Sequence, residues 1–128
     1  MRILLADDSV LILERLREML SKYRQVEIVC MCKNGIDALA ALRNLKPHLA
    51  IVDLKMPGLN GLEVLREIRK EDKILKFILL TLHSSDYHRL MAIHAGSDYF
   101  FSKADDFEKL AIVVDEEIAR NEKNRADI

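Results

Sequence analysis

Two adjacent carboxylates, Asp7 and Asp8, end the apolar run Ile3-Leu4-Leu5-Ala6, and a third, Asp53, ends the run Leu49-Ala50-Ile51-Val52. Two further apolar runs reach a hydroxyl at Thr81 and an ammonium at Lys103. If these five groups share one rim, their chemistry is that of a cation and phosphate site. Clustered carboxylates repel, so they must take up a cation or shift their pKa values. Oxygen ligands with open positions suit a hard divalent ion such as Mg²⁺, which keeps waters and binds phosphate oxygens beside them. Each residue taken alone also has a plainer use. Asp8 or Ser9 caps a helix, Asp53 serves a turn, Thr81 is an ordinary strand residue, and Lys103 is a solvated lysine.

The elements that would bring the five together are legible in the alternation of period. "RILLA" is strand-like, and Ile12, Leu13, Leu16, Met19, Leu20 and Tyr23 then recur at helical spacing. "VEIVCMC", "HLAIVD", "KFILLTL" and "DYFFSK" are further strands. Between them lie helical stretches in "GIDALAALRNL", from Gly61 to Lys70 and from Ser85 to Ala95, with Gly96 as a stop signal. A last amphipathic helix runs from Asp106 to Arg120. Five strands alternating with five helices predict a parallel sheet, doubly wound, with right-handed crossovers. Ligands of such sheets bind outside the carboxyl ends of the strands, near a switch in strand order.

The 128 residues suit one domain, with 50% hydrophobic and 32% charged side chains. Twenty basic against 21 acidic residues, a formal charge of −1, argue against bulk attraction to nucleic acid or membrane surfaces. No apolar run approaches the roughly 20 residues that span a bilayer, and the start shows no signal peptide, so a cytoplasmic protein is expected. Cys30 and Cys32 read as two small hydrophobes on one face of a strand, poorly placed for a disulfide. His48, His83, His88 and His94 form no ligand pattern. There is no G-x-G-x-x-G after the first strand, no phosphate loop, and no Ser-His-Asp or Cys-His set.

In order, Asp7-Asp8, "DLKMPGLNGLEVL" from Asp53, Thr81 and Lys103 make the chain resemble the receiver domain of bacterial two-component response regulators. Single-domain chemotaxis response regulators are the closest analogy, and the likeness covers essentially the whole chain. It implies a flavodoxin-like strand order 2-1-3-4-5, and a single domain over 1–128 with a core to about 120 and a short polar tail. It also implies that Asp53 accepts a phosphoryl group from the phosphohistidine of a sensor kinase or histidine phosphotransfer protein. Mg²⁺ would be held by Asp8, Asp53 and the backbone carbonyl of Lys55, with Asp7 acting through water. Lys103 would pair with Asp53 and then with the phosphoryl group, and Thr81 would donate to another phosphoryl oxygen. As Thr81 moves, Phe100 would swing, with Tyr99 and Phe101 on the opposite face of their strand. Catalysis would extend only to the protein's own phosphoryl transfer and slow autodephosphorylation.

Several positions depart from the family's commoner choices. Ala104 follows Lys103 where proline is frequent, so a trans loop or a strained one is expected. Leu82 stands where a small residue is common and would narrow access to the acyl phosphate. Lys55 and His83, each two residues beyond a site residue, would modulate phosphate lifetime or remain solvated side chains. Val10 and Leu11, off the core stripe of the first helix, suit a docking partner helix. Ala104 and Ile112 would join partner contacts, Ile112 in an effector interface or a phosphorylation-dependent dimer. The output would be a downstream protein effector, without direct DNA or membrane binding. Two other readings stay open. One is a receiver-like interaction domain without phosphotransfer. The other is an aspartate-nucleophile phosphatase of the haloacid-dehalogenase type, which wants a second Asp where Lys55 stands.

Overall fold

The computed structural model describes residues 1–82 and 85–126. Strand β1 (Arg2–Ala6) leads to α1 (Val10–Leu20), β2 (Glu27–Cys32), α2 (Gly35–Leu45) and β3 (Leu49–Asp53). The chain continues through α3 (Gly61–Arg69), β4 (Lys76–Thr81), α4 (Asp86–Ala95), β5 (Tyr99–Ser102) and α5 (Phe107–Ala126). The five strands are parallel, in the order β2-β1-β3-β4-β5.

Period-two alternation divides the core between the two faces of the sheet. Ile3, Leu5, Leu49, Ile51, Ile78 and Leu80 face Leu13 and Leu16 of α1 and Leu110, Val114 and Ile118 of α5. Leu4, Ala6, Ala50, Val52, Phe77 and Leu79 face Ala38, Leu42, Val64, Leu65, Ile68 and Ala92 on the other three helices. The central strands are buried on both sides, which is why they read as unbroken apolar runs. Chain progression reverses between β1 and β3, so the ends of these two strands flank the switch point.

Local signals place the helix starts. Ser9, Asn34, Asn60 and Ser85 are the N-caps of the first four helices, each side chain accepting a backbone N–H. Of the two cap candidates at the first helix, Ser9 takes the role. Asn60 and Glu63 complete a capping box. Gly96 ends α4 with φ +97°, as its position predicts.

Several element ends shift by one residue from the sequence expectation, and two differences bear on the site and the tail. β5 stops at Ser102, and Lys103 lies in the turn that follows. The last helix runs to Ala126 rather than Arg120. Its apolar stripe ends at Ile118, so hydrophobic periodicity carries no signal for the final turns, where Glu122, Lys123 and Asn124 are exposed.

Candidate functional site

Asp7 is fully buried at the exit of β1 and held from three sides. Its backbone N–H donates to the Cys32 carbonyl at 3.0 Å, and its Oδ1 accepts from Ser9 N at 2.9 Å. Its Oδ2 lies 2.7 Å from Lys103 Nζ. That contact is ionic, since no hydrogen bond of good geometry reaches this oxygen among the described residues. Asp8, one residue on, is exposed.

Asp53 is buried at the end of β3, with Oδ2 3.1 Å from Lys103 Nζ and Oδ1 accepting from Lys55 N at 3.3 Å. Its position depends on a close approach by α3. A Cβ on Gly61 would stand 2.2 Å from the Asp53 carbonyl oxygen, so only glycine fits there. Gly58, at φ +78°, turns the preceding loop. The "MPGLNG" stretch is therefore the backbone device that seats Asp53.

Lys103 is placed by the turn after β5. Its N–H donates to the Thr81 carbonyl at 2.8 Å. Ser102 Oγ accepts from Ala104 N at 3.2 Å and Asp105 N at 3.4 Å, while Asp106 Oδ2 accepts from Ser102 N at 2.9 Å. Ser102 and Gly61 are the supporting residues that sequence reasoning missed. The Asn-Gly before an apolar run was a signal for Gly61, whereas Ser102 had none. No peptide bond is cis among the described residues, so Ala104 follows Lys103 through a trans bond.

Oxygen atoms of Asp7, Asp8 and Asp53 lie within 4.8 Å of one another. Asp8 and Asp53 open on a cleft of about 450 Å³ lined also by Ser9, Leu11, Ile12, Lys55, Thr81, Leu82 and Lys103, whereas Asp7 is fully buried and does not line it. Two buried acids share one buried base, and the electrostatics follow. Burial, then the charge of Asp7, push the Asp53 carboxyl up to about 6, although Lys103 pulls the other way. Burial works against the Lys103 ammonium, but Asp7 and Asp53 outweigh it and hold its pKa above the usual lysine range. All-oxygen donors with surplus negative charge and an open side fit a hard divalent cation.

The remaining expected residues fall into three groups. Thr81 is buried at the cleft, with Lys55 and Leu82 exposed on its walls. Phe100 is buried against the α2–α4 side of the sheet, with the Arg89 guanidinium 5.3 Å from its ring centre. Tyr99 and Phe101 stack on the opposite face with ring centres 6.0 Å apart. Val10, Leu11, Ala104 and Ile112 are exposed, and of these only Leu11 lines the cleft. His83 lies outside the described residues.

A response regulator receiver domain family model matches residues 3–115. Among curated relatives, a protein-glutamate methylesterase/protein-glutamine glutaminase 1 of Methanospirillum hungatei is 35% identical over 104 residues, 80% of this chain and 30% of its own. The response regulator MprA of a Mycobacterium species is 34% identical over 110 residues, 85% of this chain and 46% of its own. The chain thus spans less than half the length of these two relatives. Among solved structures, the response regulator domain of Thermotoga maritima CheB superposes with a TM-score of 0.81 at 25% identity, covering 94% of each chain. A CheY-like receiver domain protein of Methanospirillum hungatei gives 0.75 at 28% identity, covering 93% of this chain and 97% of its own. With this match over most of its length, on this strand order and with these acids at the switch point, the chain belongs to the response regulator receiver domain family of two-component signalling.

Proposed function

We propose that this receiver domain accepts a phosphoryl group on Asp53 from a phosphohistidine and changes its partner-binding face in response. The observation that carries the reading is the meeting of Asp8, Asp53, Lys103 and Thr81 on one open cleft, with the Asp7 carboxylate buried beside them against Lys103. A carboxylate is a weak nucleophile toward phosphorus, so its attack depends on alignment and on neutralised charge. Asp53 presents its carboxylate to the cleft from a rigid strand end, held by the Lys55 N–H and Lys103. Lys103 already bridges Asp7 and Asp53 and is placed to follow the charge onto a phosphoryl oxygen. Thr81 supplies a hydroxyl for another phosphoryl oxygen.

Asp8, Asp53 and the Lys55 carbonyl would hold Mg²⁺, and Asp7, engaged by Lys103, would act through water. When bound, the ion supplies charge neutralisation between the acids and the incoming phosphoryl oxygens. Phe100, buried beside α4, is the side chain that would change position as Thr81 is drawn toward the phosphoryl group, in a two-state equilibrium biased by phosphorylation. Lys55, Leu82 and His83 would set phosphate lifetime. Val10 and Leu11, with Ala104, would meet the sensor kinase or histidine phosphotransfer protein, and Ile112 a downstream effector or a second copy. A DNA-binding LuxR-family response regulator of Staphylococcus aureus is among the proteins whose structures resemble this chain. The output of this chain is proposed as protein–protein contact.

The test is incubation with a small acyl-phosphate donor and Mg²⁺, read by intact mass. One phosphoryl adduct on wild type and none on Asp53→Asn is the expected result. An unmodified wild type overturns the reading in favour of an interaction domain without phosphotransfer.

A further inference from the structure

Strand β2 lies at the edge of the sheet and carries Cys30 and Cys32, both free thiols. Its pairing with β1 is irregular. Ile3 pairs with Ile28 but Leu4 pairs with Cys30, so Val29 is an extra residue, a β-bulge. In a regular strand Val29 and Cys30 would point to opposite faces. Here both pack on the α2–α3 side, where Cys32 is also seated. The two sulfur atoms lie 2.9 Å apart. Closing to a bond of about 2.05 Å requires a shift of under an ångström. The partners are unequal, since Cys32 is buried and Cys30 is partly exposed.

We propose that Cys30 and Cys32 are a thiol–disulfide exchange site that closes to an intrastrand disulfide on reaction with a small-molecule disulfide. The Cys30 thiolate, the accessible one, attacks one sulfur of the reagent and displaces the other half as a thiolate, leaving a mixed disulfide on Cys30. Cys32 then gives up its proton, attacks the Cys30 sulfur, and displaces the second thiolate. Two protein thiols are oxidised and one reagent disulfide is reduced to two thiols. Cys32, buried and 2.9 Å from the Cys30 sulfur, is shielded from the reagent but within reach of a mixed disulfide on Cys30, which fits it for the resolving step rather than the first attack. A disulfide between strand neighbours is strained, and a strained disulfide is readily reduced, so the closure is reversible.

The reduced full chain is incubated with oxidised glutathione, then alkylated and weighed intact. Wild type is expected to lose two hydrogens, to resist alkylation, and to recover both thiols with reductant. Cys32→Ser is expected to retain one glutathione, and Cys30→Ser to react more than tenfold slower than wild type. Persistence of glutathione on wild type, alkylation of both cysteines, or conversion to disulfide-linked dimers overturns the proposal. These masses do not depend on phosphorylation of Asp53, so the result stands apart from the phosphotransfer test.

Discussion

Lys103 sits closer to Asp7 than to Asp53, with Nζ 2.7 Å from one Oδ2 and 3.1 Å from the other. The ammonium is therefore a bridge between the two buried acids rather than the partner of one. Removing its charge leaves two buried carboxylates facing each other. Lys103→Met is expected to lose roughly 3–5 kcal/mol of stability at neutral pH, as when one partner of a buried ion pair is removed. Urea titration at pH 7 measures it, and a loss under about 1 kcal/mol would contradict the bridge.

Removing one acid has the opposite sign. Asp53→Asn leaves Lys103 balanced by Asp7 and relieves the repulsion that pushes the Asp53 carboxyl up to about 6. The folded chain holds this proton more tightly than the unfolded one. The associated stability is complete below the ordinary value of 3.8 and is lost as pH rises through about 6. The Asn variant is expected to gain about 1–2 kcal/mol at pH 7, after allowance for screening at the open side of the cleft. The gain should shrink toward pH 4, which denaturation curves across that range would record.

A hard cation bound among Asp7, Asp8 and Asp53 stabilises the folded chain by mass action. The melting temperature is expected to rise with added Mg²⁺ and to return on chelation. Asp8 is exposed, so Asp8→Asn should melt within a few degrees of wild type without Mg²⁺ and lose most of the response to it. An undiminished response in the variant would remove Asp8 from the metal site.

Gly61 lets α3 pack against the Asp53 carbonyl. The 2.2 Å approach of an added Cβ is to backbone, which cannot rotate away. Gly61→Ala is expected to cost roughly 2–3 kcal/mol through overpacking, and to lower acyl-phosphate labelling of Asp53 in the folded fraction. Denaturation together with intact mass separates the two effects.

Leu82 stands exposed at the wall of the cleft. Trimming Leu82→Ala is expected to change the rate of labelling or of acyl-phosphate hydrolysis, with stability within about 0.5 kcal/mol of wild type. Unchanged rates on both steps would show that this side chain does not govern access.

Much of this protein was determined by its sequence alone. The alternation of period two with period 3.6, and apolar runs such as Leu49–Val52 that admit burial on both faces, specify the parallel doubly wound sheet. The residues ending those runs, Asp7, Asp8, Asp53 and Thr81, then follow as one rim, because parallel strands carry their carboxyl ends to the same side. Tertiary structure decided what depends on distances between segments remote in sequence. Lys103 bridges two acids because the turn set by Ser102 places its ammonium between β1 and β3. Gly61 is required only because α3 meets the Asp53 carbonyl. The sulfurs of Cys30 and Cys32 approach to 2.9 Å on a strand whose pairing is bulged. Residue type and spacing specify which groups face a layer, whereas the separations of those groups arise when the layers pack.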